Sequence, residues 1–279
     1  MSAVLALLSA VVWGSTDFVA GVASRTVRPV AVVAWSQFVA LVALTGIVAV
    51  QGLPASGFAG WGPWAVGAGA FGALGLLCFY PALATGTMGV VAPIASLGAI
   101  IPVVLGVLTG DQPGVLAWAG IAVAIIGVVL ASGPELEGGL HARPVMLACL
   151  AAVGFGLALF MIDRGSRESL LHTMWGMRLT SCLGYAVLAV AARSLGGVRA
   201  RQMPLLAAIG LGDLTANVLF GLATSMGMVS IAAVLGSLYP VATILLARYL
   251  LNERLRPIQI VGVAVALVGI VLLAGGGHG

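Results

Sequence analysis

The sequence predicts an all-α polytopic membrane protein of ten transmembrane helices, arranged as two inverted five-helix repeats. Three observations carry this. The chain is 61% hydrophobic and 7% charged, with a mean hydropathy of 1.19, whereas a soluble domain carries about 25% charged residues. Its apolar runs approach the ~20 residues a helix needs to cross a ~30 Å hydrocarbon core, and they lack the period-2 alternation of barrel strands. Finally, the chain repeats itself. Residues 120–131, GIAVAIIGVVLA, return 142 positions later at 262–273 as GVAVALVGIVLL, with seven of twelve positions identical. Met88, Gly89 and Pro102 recur at an offset of 138 as Met226, Gly227 and Pro240, and Trp35 recurs at 140 as Trp175.

Gly, Pro and charged residues punctuate the chain into spans in order. The first, 2–22, opens without a basic n-region and leads into further spans, so it reads as a retained helix rather than a cleaved signal. Spans at 30–51 and 63–84 follow, then 88–109, which contains Pro93 and Pro102, and 114–132. The most polar connector, GPELEGGLHAR at 133–143, reads as a linker between a first repeat, 1–132, and a second, 144–279. The second repeat holds spans at 144–162, 171–192, 204–223, 227–249 (containing Pro240) and 257–275. Five spans per half is an odd number, so the second copy inserts upside down. The halves are then related by a pseudo-two-fold axis in the membrane plane.

All twelve basic residues are Arg, and their distribution sets orientation. Connectors on the face opposite the N-terminus hold Arg25, Arg28, Arg143, Arg193, Arg199, Arg201, Arg254 and Arg256. Those on the N-terminal face hold Arg164 and Arg167. Eight against two puts the arginine-rich face in the cytoplasm and both termini outside the cell membrane. Arginines in short connectors are this orientation signal rather than a nucleic-acid surface, so no nucleic-acid partner is expected.

The residues present exclude several chemistries. Without Lys there is neither a Walker A lysine nor a Schiff base. His141, His172 and His278 are scattered, and no metal site is expected. Gly67-Ala68-Gly69-Ala70-Phe71-Gly72 fits G-x-G-x-x-G but lies inside a span with no strand before it, so close helix packing explains it better and no cofactor is expected. Cys78, Cys149 and Cys182 sit within apolar runs and read as small hydrophobes.

Polar groups within spans are the informative residues, because an ionisable group in lipid is costly and faces a cavity or a partner. Asp17 lies in the first span, Arg178 in the seventh, and Asp213 with Asn217 in the eighth. Counted from the span ends, Arg178 and Asp213 differ in depth by about 5 Å at 1.5 Å per residue, which makes them a natural ion pair. That pair either lines a substrate path or only locks two helices. Asp17 is a site residue or a group reaching for the interface. Trp13, Trp35, Gln37, Tyr80, Trp175 and Tyr239 form a second set, open to reading as interfacial anchors or as cavity residues. Pro102 and Pro240 break the fourth and ninth spans at equivalent places and mark hinges or a substrate region.

Trp13-Gly14-Ser15 followed by Phe18, a Pro-containing fourth span in each half, and the acidic turns Thr109-Gly110-Asp111 and Leu251-Asn252-Glu253 give the chain a family likeness. It resembles the EamA-type members of the drug/metabolite transporter superfamily along essentially its whole length. The sixth span reads Val153-Gly154-Phe155, so there the Trp-Gly-Ser opening is lost. The first span has Asp17 but no Glu, and the proton-coupling scheme of the small four-span members does not carry over. The resemblance implies a ten-helix basket with a central cavity and alternating access. With the polar and aromatic residues singled out above, the candidates for the path are Trp13, Ser15, Asp17, Trp35, Gln37, Tyr80, Trp175, Arg178, Asp213, Asn217 and Tyr239, and those for helix breaks are Pro93, Pro102 and Pro240. The expected function is secondary transport of a small metabolite or drug-like solute, outward, with the bilayer and a proton or counter-substrate as partners. A lipid or lipid-phosphate flippase on the same fold is the first alternative. A membrane-embedded enzyme would need clustered His, Asp or Glu near one interface, which the sequence lacks.

Overall fold

The computed structural model describes residues 1–52, 57–112, 114–132, 142–194, 197–251 and 257–276. Among them every long apolar run is helical and no strand occurs. Helices α1 (Ser2–Ser24), α2 (Pro29–Gln51) and α3 (Gly57–Thr85) follow the first three expected spans, and α6 (Val115–Ser132) the fifth. Helices α8 (Met203–Ser225) and α11 (Pro257–Gly276) follow the eighth and tenth. Seven described helical stretches are long and apolar enough to cross a membrane. Residues 133–141 of the expected linker, Glu253 of the second acidic turn, Arg254 and Arg256 lie outside the described residues.

Both Pro-containing runs are broken. The first divides into α4 (Met88–Ser96), a 3-10 turn (Leu97–Ala99) and α5 (Ile100–Leu108), and the second into α9 (Val229–Gly236) and α10 (Tyr239–Leu251). A proline has no N–H to give the carbonyl four residues earlier, and for Pro102 and Pro240 those carbonyls belong to Gly98 and Gly236. Each helix resumes one or two residues before its proline, where a missing N–H costs nothing.

The sixth and seventh spans are two helices as expected, but no loop separates them: together labelled α7 (Ala142–Ala191), they meet at a kink where Ser169 is extended (φ −160°, ψ 104°). A straight helix over this range would reach about 75 Å, more than twice the hydrocarbon core, and the kink at Ser169 interrupts it. Arg164 and Arg167, expected in a loop, are helical. Arg167 Nε bonds Asp163 Oδ1 at 3.0 Å and Arg164 Nε lies 3.8 Å from Asp163 Oδ2. Asp163 is fully buried, and this compensation lets the charged turn continue as helix.

Helix neighbours follow a pattern that survives exchanging the two halves of the chain. Helix α1 lies against α8 and α10, as the first half of α7 lies against α3 and α5. Helix α2 lies against α8, as the second half of α7 lies against α3. Helices α2 and α7 touch each other, and so do α6 and α11. Two glycines set the closest approaches. A Cβ on Gly14 would lie 2.1 Å from the Tyr239 carbonyl oxygen, and one on Gly210 would lie 2.0 Å from that of Ser36. Gly156 makes the matching approach to Ile101. In space, then, Trp13-Gly14 corresponds to Phe155-Gly156, two residues later than the Val153-Gly154 pairing that the sequence suggested.

Candidate functional site

A central cavity opens where the two helix breaks face each other, with about 90 Å³ of room for the centres of water molecules. A single water needs ~10–15 Å³ on that measure, so the space suits a small solute or several waters. Residues from α1, α2, α3, α7 and α8 line it, together with both breaks: Ala95, Ser96, Gly98 and Ala99 on one side, Gly236, Ser237 and Tyr239 on the other.

The lining positions pair across the two halves, but their chemistry does not. Trp13 and Asp17 of α1 answer to Phe155 and Leu159 of α7, each 142 positions later. Gln37 answers to Arg178, and Gly72 and Leu76 of α3 to Asp213 and Asn217, each 141 later. Duplication supplied equivalent positions, and divergence put the polar side chains along one wall, where α1, α2, the second half of α7 and α8 meet. The facing wall is apolar: Ala68, Gly72, Leu76, Phe155, Ala158, Leu159 and Ile162.

Asp213 organises the polar wall. Its Oδ2 lies 2.9 Å from Arg178 Nη2 and accepts a hydrogen bond from Gln37 Nε2 at 3.1 Å. Its Oδ1 accepts from Trp13 Nε1 at 3.3 Å and Asn217 Nδ2 at 3.1 Å. Arg178 Nη1 donates to Gln37 Oε1 at 2.5 Å, so Gln37 bridges the two charged groups. The expected ion pair therefore forms, with Arg178 only 2% exposed and Asp213 8%. A carboxylate with three hydrogen-bond donors and an arginine cation at 2.9 Å is well compensated in a low-dielectric interior. Two groups keep unused capacity. Arg178 Nε has no acceptor among the described residues, and none of them donates a hydrogen bond to the buried Asp17 carboxyl, which also lines the cavity.

Not every expected residue reaches this space. Ser15 bonds back to the Val11 carbonyl at 2.8 Å and is not part of the lining. Trp35 and Trp175 do not meet: Trp35 lines a separate groove on the arginine-rich side, while Trp175 donates to Thr45 Oγ1 at 3.1 Å. Trp35 and Thr45 are ten residues apart on α2, about 15 Å along the axis. Tyr80 is buried beside Phe79 and lies outside the lining. Pro93 is internal to α4, Pro102 sits in the first turn of α5 and Pro240 is the second residue of α10, so none of the three contributes a lining side chain. Sequence reasoning missed Ser181, one turn from Arg178 on the same helix face, and Ser96 and Ser237 at the breaks. Their spacing from Arg178 and Pro240 was the available signal. Asp111 lies in the turn after α5, as expected, but its role there was not foreseen: its Oδ2 accepts from the backbone N–H of Ser230 at 3.0 Å and its Oγ at 2.9 Å, joining that turn to the start of α9.

Comparison with known proteins agrees in kind with these observations. The model of the EamA-like transporter family matches residues 1–133 and again 142–275. No curated protein matches the chain. A solved structure, described as "Crystal structure of protein", has 19% sequence identity and a TM-score of 0.74, over 97% of this chain and 96% of that one. At that identity the likeness is one of fold.

Proposed function

The chain belongs to the EamA-like transporter family, a multi-pass membrane family, and from that premise we propose that it is a secondary transporter of a small amphipathic metabolite or drug-like solute. The proposed direction is outward across the cell membrane, by alternating access at the central cavity. One observation carries this reading: a small cavity bounded by both helix breaks, with one polar and one apolar wall. A solute with an acceptor group for Arg178 Nε, a donor group for the Asp17 carboxyl and an apolar body would satisfy all three surfaces. Trp13, Gln37, Asn217 and Tyr239 complete the proposed site, with the breaks before Pro102 and Pro240 as hinges.

The reading includes ten spans, α7 supplying two, and two repeats related by a two-fold axis in the membrane plane. Support comes from the neighbour pattern that survives exchanging the halves and from the paired lining positions. It also includes cytoplasmic placement of the arginine-rich face, with a proton or counter-solute as the coupling partner.

A thermal-shift screen of the purified protein against amino acids, nucleosides, sugars and organic cations tests the reading. Ligand at 100 times its Kd stabilises by about 2.7 kcal/mol, so a true solute registers clearly in the wild type and is lost in Arg178→Met. Stabilisation that survives that substitution would move the site elsewhere.

A further inference from the structure

A second concavity lies apart from the central cavity, on the outer side of the same two helices, α2 and the second half of α7. Its room for water centres is about 390 Å³, more than four times that of the cavity. One wall runs from Arg28 to Phe38 and the other from Cys182 to Ser194. The first spans ten helical steps, about 15 Å at 1.5 Å per residue, and the second slightly more. That is half of a ~30 Å hydrocarbon core, so the groove has the depth of a single leaflet. Its floor is made of small side chains, Ala31, Ala34 and Ala189 among them, while the rim residues Val30, Phe38 and Leu188 are 44–47% exposed. An apolar channel of this depth, open along its length to the bilayer, has the shape of an acyl chain rather than of a packed helix.

The mouth adds charge. Arg28 caps the groove at the arginine-rich face and is exposed; its carbonyl accepts from the N–H groups of Ala31 and Val32, while its guanidinium makes no ion pair or hydrogen bond with another described residue. Basic pockets between transmembrane helices hold anionic headgroups, and the charge of one Arg near the surface is worth about 1 kcal/mol there. From these features together we infer that the groove is a binding site for an anionic phospholipid of the arginine-rich leaflet. One acyl chain lies between α2 and α7 and the phosphate meets Arg28. Phe38 and Cys182, at the inner end, directly follow the cavity residues Gln37 and Ser181 in sequence. The lipid therefore sits against the outer side of the helices that carry the polar wall.

Trp35 lines the groove and provides the readout. The full-length protein is reconstituted with phosphatidylglycerol or phosphatidylcholine brominated in the acyl chain, and tryptophan quenching is measured for wild type, Trp35→Phe, Arg28→Gln and Arg28→Lys. The Trp35 component, taken as wild type minus Trp35→Phe, is expected to be quenched with a preference of about fivefold for the anionic lipid, the size set by one basic residue. Arg28→Gln should abolish that preference and Arg28→Lys should keep most of it, with all variants eluting as the wild type does. Equal quenching by the two lipids, or a preference that survives Arg28→Gln, would overturn the headgroup assignment. A Trp35 component quenched by neither lipid would overturn the groove as a lipid site, and cross-linking of two copies through this face would then identify the occupant as a second chain.

Discussion

Glycine and aspartate do different work at the residue scale. The Cβ that Gly14→Ala or Gly210→Ala would add meets a backbone oxygen at about 2 Å, which no rotamer change can relieve. Overpacking of this kind costs about 1–3 kcal/mol, and both variants should melt lower in detergent and elute partly aggregated. Gly46 has nothing within 4 Å of its would-be Cβ. Gly46→Ala should therefore match or slightly exceed the wild type, by up to about 1 kcal/mol from helix propensity. An unchanged melt for Gly210→Ala would remove the close α2–α8 approach. Asp213 works through charge. Asp213→Asn leaves Arg178 buried without its counter-ion, a loss of about 3–5 kcal/mol for a broken buried pair. Gln37→Leu removes bridging hydrogen bonds but keeps the pair, so its melt should fall by less. The reverse order of the two melting temperatures would contradict the assignment of Asp213 as the anchor.

At the scale of elements, the breaks and the contact across them matter most. Asp111 holds the N-terminal end of α9 by two hydrogen bonds, where a carboxylate also meets the favourable end of the helix dipole. That ties α5 of the first half to α9 of the second, on the face bearing the N-terminus. With a cysteine introduced at Ser237 in the cavity lining, Asp111→Ala should speed its alkylation by a membrane-impermeant reagent added on that face, several-fold. An unchanged rate would mean that the contact does not restrain access. The prolines were legible because a missing N–H acts locally and the offset of 138 recurs. The Asp111–Ser230 contact was not, because it joins residues 119 apart whose pairing depends on how the halves close. The helical course of Asp163 to Glu168 was likewise hidden: it reads as a charged connector until Asp163 is seen buried against two arginines, with the kink confined to Ser169.

For the whole molecule, hydropathy and the repeat made the all-helical class and the two-part family match legible, since both are long-range averages. The polar wall was half legible. Arg178, Asp213 and Asn217 stand out because ionisable and amide groups are scarce in these spans. Trp35, Tyr80 and Trp175, open to reading as anchors or as cavity residues, lie outside the cavity lining, because nothing in an aromatic residue's sequence position says which side of its helix faces inward. The proposed orientation predicts that a C-terminal alkaline phosphatase fusion is active and a C-terminal GFP fusion dark. A bright GFP fusion would reverse the orientation while leaving the inverted halves intact.

In the proposed transporter the Arg178–Asp213 wall handles solute rather than merely joining helices, and the double variant Arg178→Met, Asp213→Leu separates the two roles. An apolar pair suits a low-dielectric interior at least as well as an ion pair, so the variant should regain the melting temperature that Asp213→Asn loses. Solute flux into proteoliposomes, for whichever compound stabilises the wild type, is the deciding measurement. Wild-type stability with flux reduced to that of empty vesicles is the expected result. Wild-type flux from the stable double variant would remove both residues from the path and leave the pair a structural clasp.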